Sequence, residues 1–176
     1  MNAQAKPLMF LGTGSDVGKS IVAAAFCRIL ARRGVRTAPF KAQNMSNNSY
    51  ITIEGGEIGR AQVVQAEAAG LEPTNDMNPI LLKPTSGLGS QVVVQGRVWA
   101  QMSAAEYYRR KKELVGRVME SYRRLAGRYE AIVLEGAGSC GELNLKKSDL
   151  VNFAMAKRID APCVLVADID RGGVFA

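Results

Sequence analysis

Apolar positions along the chain alternate between short continuous runs and stretches at helical spacing, the pattern of strands and helices in turn. Residues 8–11 read as a short buried strand running into a glycine-rich stretch. Ile21, Ala24, Ala25, Arg28, Ile29 and Arg32 then continue at helical spacing until Gly34 supplies a stop. A second strand over 36–41 completes a βαβ unit, and the asparagine- and serine-rich residues 43–49 are expected to be a loop beyond its end. A helix is expected over 57–69, closed by Gly70, followed by a loop over 73–79. Short strands at 80–82 and 91–95 suggest an antiparallel pair added to the main sheet. Residues 103–126 predict a long helix, with Ser103 as N-cap and Glu106 three residues on at capping-box spacing. A buried strand over 131–134 runs into Glu135, a helix covers 148–158, and a last strand over 162–167 ends in Asp168 and Asp170. The alternation predicts one α/β domain over 1–176, its mostly parallel sheet flanked by helices on both faces. Such an architecture ordinarily adds another covering helix after its last strand, so the chain is expected to be part of a longer protein.

At 176 residues and 47% hydrophobic, the chain can bury a core without cross-links. No run approaches the roughly 18–20 apolar residues that span a bilayer, and residues 1–7 are too short and polar for a signal peptide, so a cytoplasmic protein is expected. Cys27, Cys140 and Cys163 form no CxxC pair, and the chain has no histidine to complete a zinc site; they read as reduced thiols, two of them buried. The 23 basic and 16 acidic residues leave +7, which suits a phosphorylated or carboxylate-rich ligand as well as nucleic acid. Much of the excess lies between Arg109 and Arg128, where Glu106, Glu113 and Glu120 are interleaved, and that mixture reads as a solvated helix face.

The strongest chemical signal is Gly12-Thr13-Gly14-Ser15-Asp16-Val17-Gly18-Lys19-Ser20, placed between a strand and a helix. Its glycines let backbone N–H groups wrap the phosphates of ATP, the helix presents its N-terminus to them, Lys19 reaches the terminal phosphates, and Ser20 can ligate magnesium. The loop is a variant: Thr13 stands where the usual spacing has glycine, with glycines at 12 and 14 instead. Glu135 ends an apolar strand and should project toward the same sheet edge, where a carboxylate can hold magnesium or its water. Lys41 also ends a strand there and could neutralise charge during phosphoryl transfer. Asp168 and Asp170 read equally well as site or turn residues, and Glu67, late in the second helix, is a weaker candidate for a further metal contact.

The phosphate loop, Phe40-Lys-Ala-Gln-Asn-Met-Ser-Asn-Asn-Ser49, Gly59-Arg-Ala-Gln62, Met77-Asn-Pro-Ile-Leu-Leu-Lys-Pro84, Leu134-Glu-Gly-Ala-Gly138 and Val166-Ala-Asp-Ile-Asp-Arg-Gly-Gly-Val-Phe175 together resemble the cobyric acid synthases, in order through nearly the whole chain. The resemblance implies a P-loop NTPase fold similar to dethiobiotin synthetase. It also implies ATP-dependent amidation of the b, d, e and g carboxylates of adenosylcobyrinic acid a,c-diamide through acyl phosphates, with ammonia from a glutaminase domain of the same protein. That domain is not found in these residues, which have no histidine to activate a thiol. Gln43, Asn44, Asn47 and Asn48 are candidates to grip the corrinoid, and the reading allows a homodimer but calls for no nucleic acid or membrane. Gly87 departs from the family, which often has aspartate after Thr85-Ser86. Two alternatives are a dethiobiotin synthetase-like ligase, against which the 43–49 segment argues, and a ParA- or MinD-like ATPase switch, whose signature lysine is replaced here by Gly14.

Overall fold

The structure, a computed structural model, describes residues 5–86, 89–141 and 150–170. In chain order its elements begin with β1 (Lys6–Gly12), α1 (Lys19–Arg32), β2 (Thr37–Phe40), β3 (Gln43–Met45), β4 (Ser49–Ile51), β5 (Glu57–Gly59) and α2 (Arg60–Ala68). They continue through β6 (Ile80–Thr85), β7 (Gly89–Val94), β8 (Arg97–Met102), α3 (Ala104–Ala126), β9 (Ala131–Glu135), α4 (Phe153–Arg158) and β10 (Cys163–Val166).

The main sheet is parallel throughout, in the order β10-β1-β9-β2. Its register pairs Phe10 with Glu135, Gly12 with Val166 and Phe40 with Leu134, so the phosphate loop, Glu135 and Lys41 emerge from one edge. Successive side chains of a strand point to opposite faces, and β1 divides its residues accordingly. Leu8 and Phe10 pack with Ala23, Phe26, Cys27 and Leu30 of α1 and with Ala68 at the end of α2. Met9 and Leu11 join the larger core, with Leu114, Val118, Met119, Tyr122 and Leu125 of α3 and Met155 and Ala156 of α4. Both faces of the sheet are thus covered by helices, as expected. The long helix starts on the expected capping box: Glu106 N–H donates to Ser103 Oγ at 3.3 Å, and Ser103 N–H donates to Glu106 Oε2 at 2.8 Å. Such a cap contributes roughly 1 kcal/mol.

Several expectations are corrected. Residues 43–45 are not loop but β3, which pairs in parallel with β6. Residues 57–59 are not helix but β5, antiparallel to β4. The β6–β7 pair does not extend the main sheet; it belongs to a second sheet in the order β3-β6-β7-β8, whose Ile80, Leu82 and Val92 share the α3 core. Strand β8 has no counterpart in the sequence reading. It follows a two-residue turn at Gln95 and Gly96, both at positive φ (49° and 81°), the geometry that matches the twist of a hairpin. Of the three cysteines only Cys27 is buried, because Cys163 lies on the outer strand β10 and Cys140 in a loop. Within the predicted 148–158 helix, 153–158 is helical, and residues 148 and 149 lie outside the described residues, as does Gly87.

Candidate nucleotide-binding site

The loop between β1 and α1 is built around its lysine. Gly18 sits at φ 93°, a backbone conformation that L side chains rarely adopt, and offers no side-chain cap to α1. The first turn of α1 also lacks an acidic residue, which leaves its N-terminus open to an anion. At Gly12 the need is space: a Cβ would lie 2.7 Å from both Cδ and Nζ of Lys19. Lys19 folds back through that gap and donates to the carbonyls of Gly14 (2.5 Å), Ser15 (3.1 Å) and Gly138 (3.0 Å). Burial, followed by the charge of nearby Lys41, pushes the Lys19 ammonium below its ordinary pKa, with Glu135 and Asp16 opposing. An anion in the loop would favour the charged form, so the cradle fits a phosphate. The hydroxyl of Thr13 is buried there without a hydrogen-bond partner among the described residues. Strand β10 and the loop after β9 hold the phosphate loop in place: Thr13 N–H donates to Val166 O, Ser139 Oγ to Thr13 O, and Cys140 N–H to Gly12 O.

Glu135 is the hub of the site. Its Oε1 accepts from Lys41 Nζ at 2.6 Å and from Ser20 Oγ at 2.8 Å, while Oε2 accepts from Gln65 Nε2 at 2.6 Å and Gln62 Nε2 at 3.5 Å. The Lys41 and Glu135 side chains are 9% and 1% exposed, so this is a buried ion pair rather than a surface contact. Asn78 fixes the backbone behind it, donating to Lys41 O and Ile80 O and accepting from Gly59 N–H. Gln62 Oε1 accepts from Asn44 Nδ2 at 3.1 Å, which ties the carboxylate hub to β3. Gln65 Oε1 is buried without a hydrogen-bond partner among the described residues. Among the described residues no cluster of three or more His, Cys, Asp or Glu could hold a metal. Ser20 and Glu135 are nevertheless hard oxygen donors suited to magnesium, whose shell commonly draws its other oxygens from phosphate and water.

A cleft of about 640 Å³ opens beside this hub. Ser15, Asp16, Lys19, Ser20, Lys41 and Glu135 line one side of it, and Gln43, Asn44 and Asn48 also face it. Asn47 does not; it is exposed on the loop between β3 and β4. Asn44 is already engaged by Gln62, and Gln43 Oε1 accepts from Tyr107 OH at 2.5 Å. Glu67 points to solvent and is not near the hub, a place that Gln62 and Gln65 occupy instead. Asp170 N–H donates to Asp168 Oδ1 in a turn, and neither residue lines the described cleft. The sequence reading missed Gln62 and Gln65 at the hub and Arg60, Tyr108 and Lys111 in the cleft.

A parallel sheet whose central strand feeds a glycine cradle, a buried lysine and a helix N-terminus defines a P-loop nucleotide-binding domain. Residues 8–176 match the family described as the CobQ/CobB/MinD/ParA nucleotide binding domain, and the chain belongs to that family. It is 71% identical over 176 residues to a cobyric acid synthase of Syntrophobacter fumaroxidans, covering 100% of this chain and 34% of that protein. Cobyric acid synthases of Bacteroides fragilis and Lachnoclostridium phytofermentans are 60% and 57% identical, over 100% and 98% of this chain. The chain thus spans about a third of the length of the curated relatives it matches. No described helix is long and apolar enough to cross a membrane.

Proposed function

We propose that the chain is the ATP-using part of a cobyric acid synthase and activates peripheral carboxylates of a corrinoid, the b, d, e and g groups of adenosylcobyrinic acid a,c-diamide, for amidation. The observation that carries this reading is the Glu135 hub beside the phosphate cradle, opening onto a cleft with amide and cationic walls, in a chain so similar to proteins of that name. A substrate carboxylate oxygen attacks the γ-phosphorus of ATP, the bond to ADP breaks, and an acyl phosphate forms. Ammonia then attacks the acyl carbon, phosphate leaves with the C–O electron pair, and nitrogen sheds a proton to solvent. Lys19 holds the terminal phosphates, and Lys41 lies where it can offset charge on the transferred group. Ser20 and Glu135 would hold magnesium, which supplies further charge neutralisation at the phosphates. Glutamine hydrolysis belongs to a separate domain of the full-length protein, since these residues contain no histidine to pair with a thiol.

The test is a turnover assay on the full-length protein with ATP, magnesium, the corrinoid and either glutamine or free ammonia. Amidation with both nitrogen sources is expected, and failure with ammonia would remove the assignment. The metal assignment has its own test. Glu135→Gln keeps the shape of the hub and removes its charge, so the magnesium concentration for half-maximal turnover should rise about tenfold or more. An unchanged magnesium titration would take Glu135 out of the metal shell.

A further inference from the structure

The two oxygens of Glu135 receive different kinds of partner. Oε1 takes groups of the phosphate side, Lys41 Nζ and Ser20 Oγ, whereas Oε2 takes amides of α2, Gln65 Nε2 at 2.6 Å and Gln62 Nε2 at 3.5 Å. Gln65 is the closer donor, and its Nε2 also reaches the Ser20 carbonyl at 3.4 Å. A single amide NH2, with its two hydrogens, thus touches both residues that would hold magnesium, one at the start of α1 and the other at the end of β9. Only one orientation of that amide is compatible with the site. Turned over, its carbonyl oxygen would face the Glu135 carboxylate at 2.6 Å, acceptor against acceptor.

Gln65 is 0% exposed, and its own Oε1 has no hydrogen-bond partner among the described residues. Burying that carbonyl costs free energy, which the unbranched side chain of methionine would avoid in similar space. Packing of α2 on α1 therefore does not account for a glutamine here; what it adds is its donor end. A carboxylate samples a broad range about its last torsion unless one oxygen is held, and carboxylates that hold a metal are commonly hydrogen-bonded in turn.

We propose that Gln65 is a positioning residue for the metal. By holding Glu135 Oε2 and the Ser20 backbone through one nitrogen, it fixes the two donor residues relative to each other and leaves Oε1 as the oxygen turned to the metal or its water. The proposal rests on the reading of Ser20 and Glu135 as magnesium donors and is independent of which carboxylate is amidated.

The test uses the full-length protein saturated with a non-hydrolysable ATP analogue, with Mn2+ as an oxygen-seeking probe whose free EPR signal falls as it binds. Q65M should weaken Mn2+ binding about tenfold, the low end of what losing a partner of a metal ligand costs. E135Q should weaken it at least as much. Adding Q65M to E135Q should bring less than about twofold more, because the carboxylate that Gln65 orients is then gone. Affinity of Q65M for a labelled ATP analogue in EDTA should stay within about twofold of wild type, which reports an intact cradle. Unchanged Mn2+ affinity in Q65M overturns the proposal. So does a fully additive loss in the double variant, or a matching loss of analogue binding in EDTA, since either makes Gln65 a packing residue. If E135Q binds Mn2+ as the wild type does, the metal reading falls and the proposal with it, whereas a loss in E135Q without one in Q65M removes the positioning role alone.

Discussion

Lys19→Ala is expected to lower ATP turnover by about a hundredfold to a thousandfold, the scale seen when a fixed donor to developing charge is removed. The lysine is wired into the loop as well as proposed to bind the phosphates. Its ammonium closes on the carbonyls of Gly14, Ser15 and Gly138, so the alanine variant loses both the charge and the three contacts that shape the cradle. A second variant disturbs the cradle while keeping the charge. Gly12→Ala keeps the lysine but inserts a Cβ 2.7 Å from its Cδ and Nζ, which forces the side chain out of the position it now occupies. Turnover should fall in both variants, and nucleotide affinity, read by fluorescence of a labelled ATP analogue, should fall with it. Near-wild-type turnover by Lys19→Ala would remove the phosphate-binding assignment.

The parts of this site that were legible in the sequence are those whose chemistry is written locally. A strand running into glycines, lysine and serine announces the cradle, and Glu135 and Lys41 could be placed because each directly follows an apolar run that had to end at one sheet edge. That Lys41 and Glu135 are bonded to each other was not legible, since β2 and β9 become neighbours only in the folded sheet. Gln62 and Gln65 were hidden by their side chains: glutamines on a helix look solvated unless the carboxylate they face is known. Helical phase then explains why Glu67 was the wrong candidate. Residues 62 and 65 are three apart and share a face, whereas position 67 lies about 200° around the helix from 65. The strand at 43–45 was illegible for an energetic reason, because asparagine and glutamine disfavour strands locally and only pairing with β6 overrides that preference. Arg60 lies on α2 whereas Tyr108 and Lys111 lie on α3, so no spacing along the chain could have grouped the arginine with the other two.

Lys41→Ala should have two effects that can be measured apart. The first is on stability. Lys41 neutralises a carboxylate that is 1% exposed, and stripping the partner from such a pair leaves a buried charge, typically at a cost of about 3–5 kcal/mol. Ser20 and Gln65 still donate to Glu135 in that variant, which favours the lower end of the range. The urea midpoint should therefore fall clearly, and adding Glu135→Gln to Lys41→Ala should restore most of it, since the stranded charge is then gone. The second effect is on chemistry. If the Lys41 ammonium offsets charge on the transferring phosphoryl group, kcat should drop about a hundredfold or more in both the single and the double variant, with nucleotide affinity changed only a few-fold. Recovery of stability with kcat still well below that of Glu135→Gln alone, both at saturating magnesium, would separate the two roles of one side chain. Equal losses in affinity and kcat would instead make Lys41 a simple phosphate-binding residue, and a double variant that regained wild-type turnover would show that the lysine served only to balance Glu135.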